Sequence, residues 1–291
     1  MKPFDYFVPD SLSEALEILQ QHPGALALAG GTDLLVQAKE RNRPIPALMS
    51  LRRIPGLDAV TQNGVLSIGA TRTAGNVAAD PRICQEYTAL AVGAGLIGSV
   101  QIRNMATVGG NICNASPSAD TAPGLLALGG RAVLAGAAGE RTLALEDFFL
   151  GPGKTVLQPG ELLVRLELPR PMERSGSFYL RHTPRAWMDL AFVGAAAAVQ
   201  LGEEGEIRSV RIALGAVAPV PMRALRAEER LTGCQPDATL LAEAAQLAAA
   251  EARPIDDLRA SADYRRHITA VLTRRAIEQA IANAQAGKPA A

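Results

Sequence analysis

The chain has 291 residues and a mass of 30.4 kDa, more than a single hydrophobic core ordinarily organises, so two domains are expected. Lysine plus arginine number 29 and aspartate plus glutamate 29, and the resulting formal net charge of zero argues against a general electrostatic grip on nucleic acid or an anionic membrane. Hydrophobic residues at 48% and charged residues at 20% exclude disorder as the main state, while an aromatic share of 4% leaves alanine, leucine and valine to fill the core.

The start, Met1-Lys2-Pro3-Phe4-Asp5-Tyr6, has neither an apolar signal core nor the Arg-rich character of a transit peptide, so the expected location is cytoplasmic. Ser11-Leu12-Ser13-Glu14 is a capping box, and Leu12, Ala15, Leu16 and Leu19 follow at helical spacing, which predicts a helix over 11–21 stopped by Gly24. Strands are predicted at 25–29, 47–51 and 65–70, a βαββ-like beginning. Past Asp80-Pro81 a helical stretch runs to about Val92, and a strand is predicted at 131–135. From Glu161 the chain alternates, with Leu162, Val164, Leu166 and Leu168 expected on one face. Pro169 and Pro171 end that strand and set an expected domain boundary near residue 172, with the first domain, 1–172, divided at about 58/59. Strands at 177–182, 190–201 and 207–217 then precede alanine-rich helices starting near Asp237 and Ser261, giving a second domain over 173–284 and a frayed tail from about residue 285 to 291. Strands followed by helices make the class α+β.

The most apolar stretch, Leu190 to Leu201, falls short of the ~20 residues a membrane-spanning helix needs, so no span is expected. Cys84, Cys113 and Cys234 are far apart and form no CxxC pair, and His22, His182 and His267 are equally scattered. No metal site and no catalytic acid, base or nucleophile is read in this chain; any metal chemistry must lie on another one.

Three glycine clusters could approach a phosphate closely, because glycine lets backbone amides reach an oxyanion. Gly93-x-Gly95-x-x-Gly98 matches the dinucleotide fingerprint by letter, but helical spacing precedes it at Ile83, Tyr87, Leu90 and Ala91, which favours the end of a helix over the required strand-to-helix turn. Ala29-Gly30-Gly31-Thr32-Asp33 follows a predicted strand directly. Thr107-Val108-Gly109-Gly110-Asn111 repeats its hydroxyl and paired glycines about 75 residues later and leads through Asn114, Ser116 and Ser118 to Asp120. On spacing, the two loops are either one clamp for an extended diphosphate or two unrelated turns, and Asp120 is either a ligand contact or the N-cap of a helix starting at Thr121 and Pro123.

These segments, with Lys2-Pro3-Phe4-Asp5-Tyr6, Gln101-Ile102-Arg103-Asn104-Met105-Ala106 and Gly215-Ala216-Val217-Ala218-Pro219-Val220-Pro221-Met222-Arg223, resemble the FAD-binding medium subunit of the xanthine dehydrogenase and carbon monoxide dehydrogenase family of molybdenum hydroxylases, nearly end to end. The resemblance implies a two-part FAD-binding domain of the vanillyl-alcohol-oxidase/MurB (PCMH-like) type followed by a smaller α+β domain. It implies FAD as cofactor, held by Ala27, Leu28, Ala29, Gly30, Gly31, Thr32, Asp33 and Leu34 and by Thr107, Val108, Gly109, Gly110 and Asn111 around the diphosphate, with Asp120, Ile97, Leu163 and Arg181 also beside it. Arg181 stands where many relatives carry lysine, so reach and hydrogen-bond geometry differ there. Implied partners are a molybdopterin-binding large subunit and a [2Fe–2S] small subunit, with NAD or a quinone as final acceptor. A freestanding flavin oxidase and a non-redox nucleotide-binding module are the rival readings. Arg103 is read as a diphosphate or partner contact or a plain surface arginine, and Trp187 as a flavin-stacking or a core residue.

Overall fold

A computed structural model of the chain describes residues 3–40, 45–186 and 188–286, and its architecture is α+β. The chain opens with β1 (Asp5–Phe7), α1 (Leu12–Gln21), β2 (Ala25–Leu28), α2 (Leu34–Glu40) and β3 (Ala47–Ser50), whose strands form a parallel sheet in the order β1-β3-β2. The capping box forms: Ser11 Oγ accepts from the Glu14 amide at 3.1 Å, and the Glu14 carboxylate reaches back to the Asp10 amide at 2.8 Å. This beginning is βαβαβ rather than βαββ. Parallel neighbours need a crossover, which α2 supplies, and the strand expected at 65–70 pairs elsewhere.

The next unit comprises β4 (Val60–Asn63), β5 (Val65–Gly69), the helices α3 (Ala74–Ala79), α4 (Pro81–Glu86), α5 (Thr88–Gly95), α6 (Val100–Arg103), α7 (Val108–Cys113) and α8 (Thr121–Ala127), then β6 (Arg131–Gly136), β7 (Gly139–Ala144), β8 (Phe149–Gly151), β9 (Lys154–Thr155) and β10 (Leu162–Pro169). Its main sheet is antiparallel, in the order β4-β5-β10-β6-β7. The single helix expected after Pro81 is broken at the buried Tyr87 into α4, capped by Asp80 Oδ1, and α5. Gly93 and Gly95 close α5 rather than opening a helix after a strand, so the dinucleotide fingerprint is a match of letters alone.

The central strand β10 is buried on both faces and departs from the expected alternation. A bulge between Leu163 and Arg165 slips the register, so Leu163, Leu166 and Leu168 face the helices α3–α8, while Leu162 and Val164 face Ala15, Met49, Ile54 and Leu57 of the first unit.

The last unit is a four-stranded antiparallel sheet of β11 (Ser175–His182), β12 (Val193–Leu201), β13 (Ile207–Gly215) and β14 (Met222–Arg223), followed by α9 (Leu225–Leu231), α10 (Ala238–Glu251) and α11 (Ala262–Gln285). Asp237 and Ser261 cap the last two helices with their side chains. One face of this sheet, at Ala195, Ala197, Ile212 and Leu214, packs under α9–α11; the other, at Tyr179, Ala196 and Ala213, joins the core around α5 and α8. Helix α11 runs to Gln285 with Ala284 buried; residues 287–291 of the expected tail and Trp187 lie outside the described residues.

Alanines and glycines let these layers approach closely. A Cβ on Gly176 of β11 would lie 2.5 Å from the Ala284 backbone nitrogen and closer still to the Ala280 carbonyl oxygen, both fixed in α11. Gly176→Val should therefore cost about 2–3 kcal/mol of stability, because helix backbone cannot move aside as a side chain would. Gly151→Ala, where a Cβ would meet nothing within 4 Å, should change stability by less than about 0.5 kcal/mol. Denaturant unfolding of the two variants checks the contrast.

Candidate functional site

The two glycine loops meet. A Cβ on Gly30 would strike the Met105 carbonyl and lie 3.0 Å from Ala106 Cα, so the bare backbone of the first loop rests on the residues that lead into Thr107. Gln37 of α2 donates from Nε2 to Asn114 Oδ1 at 3.1 Å just past α7, a second tie between the loops. Gly31 has φ +75°, the left-handed conformation that glycine adopts without strain, and it turns the chain from β2 towards α2.

The loops differ in what they offer. In the second block the amides from Val108 to Asn111 are committed: Val108 donates to the Arg72 carbonyl and Gly109 to that of Ala70, both at 3.0 Å, Gly110 to Thr107 Oγ1 at 3.0 Å, and Asn111 to the Thr107 carbonyl at 2.9 Å. In the first loop the amides of Gly30, Gly31, Thr32, Asp33 and Leu34 donate to no acceptor among the described residues. That run of free donors, without a lysine or arginine among them, suits a dianionic diphosphate. Gly110 has helical backbone geometry, and a Cβ there would meet Thr107 Oγ1 and nothing else within 4 Å, so the block supplies a bare surface rather than spare donors.

Thr121 Oγ1 donates to Asn111 Oδ1 at 2.6 Å, which links this block to the start of α8 and to Asp120. The Asp120 side chain makes no capping bond and is 7% exposed. Its Oδ1 accepts from the Tyr179 hydroxyl at 2.8 Å and its Oδ2 from Arg181 Nη1 at 2.6 Å, both reaching across from β11. Burial pushes the Asp120 carboxyl above its ordinary value, opposed by the Arg181 charge and by the hydrogen bonds from Tyr179 and Arg181. Burial and the adjacent carboxylate hold the Tyr179 phenol well above its ordinary value, so it stays a donor. Arg181 is itself 4% exposed at the side chain, and its Nη2 is buried with no partner among the described residues.

The structure thus brings Gly30 to Leu34, Thr107 to Asn111, Asp120 and Arg181 into one connected region. Ile97 is half-buried on its border, where Arg103 Nη1 bonds the Ile97 carbonyl at 3.0 Å and that of Gly98 at 3.3 Å; this inward bond is the role the structure gives Arg103. Leu163 is 4% exposed in the core and presents no side-chain surface. Ala27 is exposed on β2 and opens on a separate cleft lined by His22, Pro23, Gln158 and Glu161. Tyr179 is missing from the set read from sequence. The signal was present in the strand, where Tyr179 and Arg181, two residues apart, must share a face.

The residues present fit a flavin dinucleotide: free amides for a diphosphate, a bare glycine surface, and a buried donor–acceptor pair for hydroxyl groups. Among the described residues no helix is long and apolar enough to cross a membrane, and no group of three or more His, Cys, Asp or Glu is placed to hold a metal.

A family model described as the FAD binding domain in molybdopterin dehydrogenase matches residues 2–171, and one for the carbon monoxide dehydrogenase flavoprotein C-terminal domain matches residues 178–280. The chain is 32% identical to the carbon monoxide dehydrogenase medium chain of Hydrogenophaga pseudoflava, covering 95% of this chain and 96% of that one. It is equally 32% identical to a xanthine dehydrogenase FAD-binding subunit of Escherichia coli O157:H7, over 94% of each. Its structure is similar to a chain of the H. pseudoflava carbon monoxide dehydrogenase with a TM-score of 0.92 at 32% identity, covering 97% and 99% of the two chains. A chain of quinoline 2-oxidoreductase from Pseudomonas putida 86 gives 0.91 at 32% identity, over 98% and 99%. The chain therefore belongs to the FAD-binding subunits of the xanthine and carbon monoxide dehydrogenase family of molybdenum hydroxylases, components of oxidoreductase complexes whose flavin cofactor is FAD.

Proposed function

We propose that this chain is the flavoprotein relay of a cytoplasmic three-chain molybdenum hydroxylase, taking electrons from a [2Fe–2S] small subunit fed by a molybdopterin-binding large subunit and delivering them to NAD or a quinone. The observation that carries the reading is the contact of two glycine loops beside a buried Asp120–Arg181 pair. FAD, when bound, supplies the redox chemistry. The domain boundary is proposed near residue 172, with the FAD-binding part before it.

In this reading the diphosphate is held within the segment from Ala27 to Leu34 by the free amides of Gly30 to Leu34, and Thr107 to Asn111 give the bare surface on which it lies. Asp120 accepts from a cofactor hydroxyl and Arg181 donates to one, while Ile97 and the backbone at Leu163 border the cofactor. A freestanding oxidase would need its own acid or base at the flavin, and the buried carboxylate here is already paired to a guanidinium.

Denaturing the purified protein should release FAD rather than FMN, one per chain, because a site built around two loops and a diphosphate gives FMN too few partners; chromatography of the released flavin checks this. Gly110→Val should raise the Kd for FAD at least tenfold, since the branched side chain fills the open surface, while apoprotein stability falls by only about 1 kcal/mol through the disturbed Thr107 cap. Flavin titration alongside thermal unfolding of the apoprotein reads both. Unchanged affinity would mean that the block is an ordinary turn.

A further inference from the structure

We infer that Tyr179 is a positioning residue for the cofactor, acting through Asp120: its hydroxyl fixes the carboxylate so that Asp120 and the spare donor of Arg181 together receive a hydroxyl group of the bound dinucleotide. The inference rests on the flavoprotein reading above.

Tyr179 is 1% exposed in a sheet face packed against α5 and α8, and its phenol has no freedom to turn elsewhere. Its hydroxyl bonds Asp120 Oδ1 at 2.8 Å, while Arg181 Nη1 bonds the other oxygen at 2.6 Å. Two donors from one strand face therefore grip one carboxylate on a different element and set both its position and its plane. Each Asp120 oxygen keeps accepting capacity, and the buried Nη2 of Arg181 lacks a partner among the described residues. An acceptor beside a donor complements a hydroxyl, which donates once and accepts twice. It does not complement a phosphate, which the carboxylate would repel. This places the sugar or ribityl hydroxyls of the ligand at Asp120 and Arg181, and leaves the diphosphate to the free amides of Gly30 to Leu34.

The Tyr179 hydrogen bond also opposes the upward push that burial gives the Asp120 carboxyl. The charged and titratable groups acting on the carboxylate are Arg181 and Tyr179, both from β11, while α5 meets Asp120 through the backbone at Gly93. Without the phenol, burial is less opposed and the carboxyl titrates at higher pH. FAD affinity falls as pH falls through that titration, so losing the hydroxyl should move the fall to higher pH.

The test is Tyr179→Phe in the full chain, with the Kd for FAD measured by flavin fluorescence on deflavinated protein from pH 5 to pH 8. The expected result is a Kd raised roughly tenfold at pH 7, from one lost hydrogen bond to a charged group, with the affinity loss at low pH beginning at higher pH than in the wild type. Phenylalanine fills the same space, and if the single variant still fails to fold, Tyr179→Phe in an Asp120→Asn background, compared with Asp120→Asn alone, removes the carboxylate charge that the phenol supports while leaving the Arg181 guanidinium the same in both chains. In that background the tyrosine substitution should change Kd by less than about twofold. A Kd within about twofold of wild type at every pH overturns the inference, as does a loss that is uniform across pH or that persists in full on Asp120→Asn. If the wild-type chain itself binds no FAD, the flavoprotein reading fails instead, so the two failures are distinct.

Discussion

A carboxylate taken out of water needs donors, and those that Asp120 finds come from another part of the chain. It stands at the start of α8 in the part of the chain before the proposed boundary, where both glycine loops lie, while the Tyr179 hydroxyl and the Arg181 guanidinium reach it from the first strand of the C-terminal sheet. The candidate site is therefore complete only when that sheet lies against α5 and α8. Removing either donor would leave a buried charge short of partners, so one interaction joins the docking of the two halves to the chemistry of the site.

The composition explains how the docking is achieved. With few aromatic residues available, β12 reads Gly-Ala-Ala-Ala-Ala between Gly194 and Ala198, and its alanines alternate between the face under α9–α11 and the face on the FAD-binding half. Small side chains on both faces bring two cores within reach of one strand, and Gly176 lets α11 rest directly on β11. The same economy appears at the site, where Gly30 has no side chain to hold the two loops apart. Similarity to carbon monoxide and xanthine dehydrogenase flavin subunits over nearly the whole chain fits this picture of one continuous unit.

Features governed by neighbouring residues were legible in the sequence. Ser11, Asp237 and Ser261 cap helices because a side-chain oxygen three residues before an amide needs nothing else to bond it. The helical spacing before Gly93 marks the glycine fingerprint as the end of a helix, and α5 ends there. What depended on distant partners was hidden. The bulge at Val164 follows from pairing with β6 and so reversed the facing of Leu162 and Val164 relative to Leu166. The paired glycines suggested equivalent loops, yet the amides of Val108 and Gly109 are spent on the carbonyls of Arg72 and Ala70, which spacing cannot reveal. Asp120 offered a choice between cap and ligand; its side chain does not cap, and its bond to Tyr179 spans 59 residues.

With Tyr179 and Arg181 gripping Asp120 from β11, the proposed FAD site spans both halves of the chain. Hydrogen–deuterium exchange on the full-length protein with and without saturating FAD tests it most directly. FAD should slow exchange together in the loop from Gly30 to Leu34, in the segment from Thr107 to Asp120, and in β11 around Tyr179 to His182. Protection confined to residues before the proposed boundary, with β11 exchanging at the same rate in both states, would contradict it.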